Sequence, residues 1–406
     1  MMLEKILRHM QFNTLIDNEK ILRSLHELGY EVASPIQEKA IPVCLEGHDI
    51  LASAQTGTGK TAAFLIPILI ALSKSERKGS ARALILVPTR ELAMQVAQET
   101  AKIGRYTGLV SVCIYGGVPY QIQNRQLSKK YDILIATPGR LIDYIDQKRI
   151  SLNNIEMLIL DEADRMLDMG FIEPVEKIAS KTPSDRQTLL FSATFNKKIL
   201  KLASSLLTDP LEIKTDNATH NLEVIEQKFH RTDSLDTKHR ILDEILAQPD
   251  IKQAIVFSST KIQTEKIADR LQDSGINAAA LHGDMNQRQR SRTIHLLREG
   301  KIQVLVATDI AARGIDILTI SHVINFDLPQ TLDDYIHRIG RTGRAGGKGV
   351  ALSFISQKDR MIGREIEQFS GVALPVDSNP KRAPSPRGGF KRSSPYKKKT
   401  FSRPKF

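Results

Sequence analysis

Cysteine is nearly missing from this 406-residue chain: Cys44 and Cys113 stand 69 positions apart. That excludes a disulfide framework and any CxxC metal or redox site, and both thiols read as buried apolar side chains. Long apolar runs are missing too. The longest, Ala62 to Leu72, has eleven residues with Pro67 inside it, well short of the ~20 that a membrane-crossing helix needs. The first residues, MMLEKILRHMQFN, have neither the apolar segment nor the small-residue cleavage site of a secretory signal. A cytoplasmic protein is expected. The ten histidines form no i, i+4 metal pair, and no short-period repeat is visible.

Acid is absent from one end. Residues 378–406 hold ten Lys and Arg and no Asp or Glu, which leaves only +2 of the net +12 for the first 377 residues. Five Pro, five Ser and four spaced aromatics complete that segment. Such a composition buries too little apolar surface to offset the entropy of ordering, so residues 376–406 are expected to form a disordered basic tail open to a polyanion.

What the body has is average: 41% apolar and 26% charged residues, enough for substantial cores and, by length, for two or three domains. Short apolar runs recur, each followed by a helical pattern. They are Asp49 to Ser53, Ala83 to Val87, Val110 to Tyr115, Ile133 to Ala136, Met157 to Leu160 and Thr188 to Phe191, then Ala254 to Phe257, Ala278 to Leu281, Val304 to Ala307, Val323 to Phe326 and Val350 to Ile355. This alternation is the mark of parallel sheets covered on both faces. Two α/β domains are expected, residues 1–215 and 223–375, with the polar stretch 216–222 as linker.

Directly after the first run comes Ala54-Gln55-Thr56-Gly57-Thr58-Gly59-Lys60-Thr61. Glycines let backbone N–H groups turn toward phosphate oxygens, the lysine supplies charge and the Thr61 hydroxyl reaches Mg²⁺. Ala54 stands where the general P-loop pattern has its first glycine. At Asp161-Glu162-Ala163-Asp164 an apolar strand ends in carboxylates, where a P-loop enzyme needs one acid for Mg²⁺ and another to orient water. Alone, these acids could equally be a solvated helix start near a favourable dipole. Gln37 carries an amide able to donate and accept at once, as an adenine edge requires. Tyr30 or Phe12 could stack on the base or belong to the core.

Together these residues resemble the DEAD-box RNA helicase family of superfamily 2, over roughly residues 12 to 370 and closest to bacterial members of the RhlE and SrmB type. Phe12, Gly29-Tyr30 and Ser34-Pro35-Ile36-Gln37 are similar to its adenine-sensing segment. Pro88-Thr89-Arg90-Glu91-Leu92, Gly116-Gly117 and Thr137-Pro138-Gly139-Arg140 are similar to its RNA-backbone motifs, and Ser192-Ala193-Thr194 to its coupling motif. The set is completed by Val256-Phe257-Ser258, Gln287 with Arg290, the run Ala307 to Asp316, and His337 to Arg344.

The resemblance implies two tandem RecA-like domains with ATP between them and single-stranded RNA across both. Lys60 would neutralise the β- and γ-phosphates, Thr61 and Asp161 would hold Mg²⁺, Asp161 through water, and Glu162 would polarise the attacking water. Gly314, Asp316, Arg341 and Arg344 would reach the nucleotide from the other domain, the two arginines as fingers on the developing γ-phosphate charge. RNA would be held by Pro88, Thr89, Arg90, Gly116, Gly117, Thr137, Pro138, Gly139, Arg140, Gln287, Arg290, Thr308 and Asp309. Small hydroxyls, amides near glycine and a few cations suit phosphate and sugar rather than base edges, so little sequence preference is expected. Asp164, Ser192, Thr194 and His337 would couple hydrolysis to RNA grip. The implied activity is ATP-dependent RNA unwinding, with an ATP-gated clamp or annealing chaperone and a DNA translocase as alternatives. Ribosome-assembly or RNA-decay proteins are the implied partners of a monomeric core.

Overall fold

The computed structural model describes residues 10–54, 58–74, 76, 79–214, 224–249, 251–312, 319–343 and 347–375. The expected linker 216–222 and tail 376–406 lie outside them. Among the described residues thirteen strands form two sheets, and every strand pairing in both is parallel. The first holds β1 (Ile50–Ser53), β2 (Ala83–Leu86), β3 (Ser111–Ile114), β4 (Ile133–Ala136), β5 (Met157–Leu160), β6 (Gln187–Ser192) and β7 (Leu211–Lys214), in the order β3-β4-β2-β5-β6-β1-β7. The second holds β8 (Ile225–Arg231), β9 (Ala254–Phe257), β10 (Ala278–Leu281), β11 (Val304–Ala307), β12 (His322–Asn325) and β13 (Gly349–Ile355), in the order β10-β11-β9-β12-β13-β8.

The apolar runs were short and continuous rather than alternating, and the cores explain why. In the first sheet Ile85, Ile135, Ile159 and Phe191 point into one core, while their neighbours Leu84, Leu134, Leu158 and Leu190 point into the other. The second sheet repeats the scheme with Val256, Val306 and Ile324 on one side and Ile255, Leu305 and Val323 on the other. A strand with two buried faces has no solvent side to make polar, and each such side chain contributes about 1.5–3 kcal/mol by leaving water. Eleven of the thirteen strands fall on the expected runs. The exceptions, β7 and β8, are both edge strands, and the sequences LEIK and IEQKFHR carry the polar side chains an edge requires. No helix among the described residues is long and apolar enough to cross a membrane.

Candidate nucleotide and RNA sites

Lys60 opens the Lys60–Lys74 helix just beyond β1, and its side chain is buried. Gly59 before it has φ +90°, where L side chains are strained, and a Cβ there would stand 2.5 Å from the Gln37 Nε2. Gln37 lies in the Pro35–Leu45 helix and is tied to this loop: its Nε2 donates to the Gly59 carbonyl (3.0 Å) and its Oε1 accepts the Ser34 amide (2.8 Å). Ser34 in turn donates through Oγ to the Thr58 carbonyl (2.7 Å). The Gln37 amide is therefore a strut for the phosphate loop, with one N–H and one lone pair left for a base edge. Tyr30 is 41% exposed and suits stacking. Phe12 does not: at 3% exposure it is packed in the first core, where its ring adds more as buried apolar surface. Ala54 is buried and donates its amide to the Ser192 carbonyl, and Thr61 is half-buried on the first turn after Lys60. Gln55, Thr56, Gly57, Gly314, Asp316 and Arg344 lie outside the described residues.

Asp161 and Glu162 follow β5, and both are buried. Burial pushes the Asp161 carboxyl up to about 6; Lys60 opposes this and the charge of Glu162 adds to it. Its Oδ1 is buried with no hydrogen-bond partner. An orphaned carboxylate oxygen beside a buried lysine is a donor set short of one cation, and it fits Mg²⁺ carried by a nucleotide. Burial also acts to raise Glu162, but Arg165, Lys60 and Arg341 outweigh it and hold this carboxyl below its ordinary range, hence ionised. Arg165 supplies the nearest charge, a buried ion pair of 2.6 Å. Glu162 also has φ +54°, left-handed backbone on a non-glycine residue at a helix start. Such strain persists where surrounding structure fixes the residue, and it concentrates at functional sites.

Arg341 reaches this field from beyond the second sheet. It is buried, and its Nε donates to the His337 carbonyl. Helix Leu332–Ile339, which carries His337, stands within electrostatic reach of the acidic segment: loss of solvation and then the charges of Asp164, Asp334 and Asp168 raise the Asp333 carboxyl. Asp164 bonds the coupling motif, though through a different group than expected. Its Oδ2 accepts the Ala193 amide (3.0 Å), while the Ser192 and Thr194 groups bond one another. A backbone amide serves here because the strand end turns its N–H, rather than its hydroxyls, toward the acid.

A groove of about 460 Å³ runs between the sheets' carboxyl ends. Pro88, Thr89, Arg90, Gly116, Thr137, Gly139 and Arg140 line it from the first domain, and Gln287 and Arg290 from the second. Thr89 caps the Arg90–Ile103 helix and Thr137 precedes Pro138 at the start of another, so helix starts open into the groove. Gly117, at φ +77°, lets the Arg90 guanidinium pack on its Cα, and Arg90 then donates to Gln287 across the cleft (3.3 Å). Three residues expected on RNA also hold protein groups. Arg140 donates to the Val118 carbonyl and to Gln123, beneath the Tyr120 ring. Arg290 pairs with Glu91 of the first domain at 2.9 Å and donates to the His282 and Ala311 carbonyls. Asp309 pairs with buried Arg338. Thr308 donates its amide to Leu281 and does not line the groove.

Comparison with known proteins identifies the family. Residues 34–202 match the DEAD/DEAH box helicase family and residues 237–346 the helicase conserved C-terminal domain. The chain is 44% identical to the ATP-dependent RNA helicase SrmB of Escherichia coli over 382 residues, 92% of this chain and 86% of that one. The chain belongs to the DEAD-box family of ATP-dependent RNA helicases. By that membership it is an RNA-dependent ATPase. Among solved structures, S. cerevisiae Dbp5 bound to RNA and ADP BeF3 superposes with TM-score 0.81 at 32% identity, covering 90% of this chain and 94% of Dbp5. A DEAD box protein from Methanococcus jannaschii is more similar in sequence, 39%, over 91% of this chain and 99% of its own, yet superposes at only 0.53.

Proposed function

We propose that this helicase separates short RNA duplexes locally, or remodels RNA–protein complexes, by closing its two domains on ATP and single-stranded RNA and reopening after hydrolysis. The observation that carries the reading is the reach of Arg341 into the field of Glu162: the acid that orients water lies in one domain and the cation that steadies γ-phosphate charge in the other. Chemistry then requires closure, and ATP drives closure by binding the closed arrangement more tightly than the open one.

Lys60 binds the nucleotide phosphates, and Gln37 with Tyr30 orients the base. Thr61 and Asp161 would hold Mg²⁺, which when bound supplies charge neutralisation at the phosphates. Ionised Glu162 accepts a hydrogen bond from the attacking water and aims it, while Arg341 and Arg344 stabilise charge on the γ-phosphoryl as it passes to water and ADP leaves. RNA lies in the groove along Thr89, Arg90, Gly116, Thr137 and Gln287, gripped through phosphate and 2′-OH, so sequence preference is low. The acid Asp164, bonded to the 192–194 turn and facing helix Leu332–Ile339, carries the state of the nucleotide site to the RNA side. Residues 1–215 and 223–375 act as the two bodies joined by 216–222, in the cytoplasm, as a monomeric core that meets ribosome-assembly or RNA-decay proteins. Displacement of a labelled strand from a short duplex by full-length protein and ATP tests the reading. Strand annealing without ATP-dependent displacement would make the protein a clamp or chaperone instead.

A further inference from the structure

Two arginines among the described residues are fully buried, Arg82 and Arg165. Arginine is rarely buried without a partner, and each of these has one. Arg82 meets Asp132, 50 positions further on, at 2.9 Å, and Asp132 also accepts the Val110 amide (3.0 Å). That pair pins together the starts of β2, β3 and β4. Arg165 is placed otherwise. Its Nη1 donates to the Glu162 Oε2 (2.6 Å), three residues back in the chain. Its guanidinium bonds no other group among the described residues, and Nη2 is buried without a partner. A pair inside one helical turn joins no distant parts of the fold, and a buried ion pair is weak evidence for stability. What this pair does hold is Glu162.

Glu162 needs such a hold. It stands at the N-cap of the Ala163–Asp168 helix with left-handed backbone, yet its side chain makes no capping bond. The anchor that an N-cap side chain ordinarily uses, an amide two or three residues on, is taken: the Arg165 amide goes to the Asp164 Oδ1 (3.0 Å). A glutamate without that anchor has rotamer freedom to lose before it can act at one place. Lys60 and Arg341 also act on the Glu162 charge. Both of those cations have phosphate to meet, so an acid that followed either would move with the nucleotide or with the second domain. Arg165 belongs to the same short helix as Glu162 and has no phosphate assigned to it. It keeps its place whatever is bound.

We infer that Arg165 is a positioning residue for ATP hydrolysis: its guanidinium holds the Glu162 carboxylate by one oxygen, so that the acid stands at a set place when the attacking water arrives. The inference rests on the reading of Glu162 as the water-orienting acid and names what aims it. Arg165 touches neither nucleotide nor RNA and acts only through Glu162. Its loss therefore falls on the rate of hydrolysis and not on the binding of either ligand.

The test is single-turnover ATP hydrolysis by full-length protein saturated with single-stranded RNA, in a cycle of Arg165→Gln, Glu162→Gln and the double variant. Arg165→Gln should hydrolyse ATP about 10- to 100-fold more slowly, as misplacing a reacting group by about an ångström does. Its affinities for ATP, and for RNA with ADP–beryllium fluoride, should stay within about twofold of wild type. In the Glu162→Gln background the same change should cost nothing further, because the acid it serves is already gone. Arg165→Lys keeps a single donor on a shorter stem and should bring the rate back to about three- to fivefold below wild type. An equal loss in both backgrounds, or a fall in the two affinities that accounts for the loss of rate, would make Arg165 a packing residue and overturn the inference. So would a wild-type rate for Arg165→Gln. Should Arg165→Gln fail to fold, as circular dichroism would show, Arg165→Lys carries the same cycle. A severalfold loss confined to the background that retains Glu162 then supports the inference, and no loss, or the same loss in both, overturns it. If Glu162→Gln itself turned over at the wild-type rate, the water-orienting reading of Glu162 would fail, an outcome distinct from these.

Discussion

The Glu91–Arg290 pair offers a direct handle on closure. It spans the two domains at 2.9 Å, with side chains 9% and 12% exposed, and Arg290 additionally donates to two carbonyls of its own domain. Breaking a desolvated cross-interface pair from one side costs about 2–5 kcal/mol, much of it the cost of leaving the partner charge alone. Arg290→Gln mixes that cost with loss of the two carbonyl bonds, so the pair is isolated by a cycle with Glu91→Gln and the double variant. With a tenth of each side chain still wetted, the coupling belongs at the lower end, about 1.5–3 kcal/mol, or roughly 10- to 150-fold in the closed-state constant. The assay is single-stranded RNA affinity with ADP–beryllium fluoride, which reports closure, beside nucleotide affinity without RNA, which should change little. A coupling below about 0.5 kcal/mol would refute the pair's role in closure, since sites that far from interacting simply add.

Other consequences follow from the same contacts. Lys60→Ala should impair ATP binding, whereas Glu162→Gln should keep it and slow hydrolysis by about 10²- to 10⁴-fold, trapping the protein on RNA, as equilibrium nucleotide binding and single-turnover hydrolysis would show. Arg338, buried and bonded to Asp309, Asn325 and the Asp327 carbonyl, should cost the second domain about 3–5 kcal/mol when replaced by Gln, read by urea denaturation. Removing residues 378–406 should flatten the salt dependence of RNA binding and weaken it, with unstimulated ATPase nearly unchanged; each phosphate released accounts for about 0.7 of slope.

The central strands were legible because double burial leaves an unbroken apolar run, as in ALIL of β2 and MLIL of β5. Strands β7 and β8 were not, because LEIK and IEQKFHR interleave charged side chains with apolar ones and so read like a loop. Motif residues do converge: Lys60, Asp161 and Glu162 in one electrostatic cluster, and Thr89, Thr137 and Gln287 along one groove. What a motif does not reveal is which polar atom meets which. Arg290 and Asp309 were expected on RNA from their motifs, and each also has a protein partner about 200 or 30 residues away in sequence. Their partners Glu91 and Arg338 stood inside quoted motifs, and the signal for them was charge: an acid in a run meant for a polyanion, and a third arginine in His337 to Arg344 beyond the two assigned to phosphate. Arg165, one position past the acidic cluster, was missed because only the fold brings it back onto Glu162.

The central claim is that hydrolysis requires the second domain's arginine at the first domain's water-orienting acid. Single-turnover ATP hydrolysis by Arg341→Ala, with RNA saturating, measures it. The rate should fall by about 10³-fold while ATP binds with wild-type affinity. Hydrolysis at the wild-type rate would contradict a site completed across the cleft.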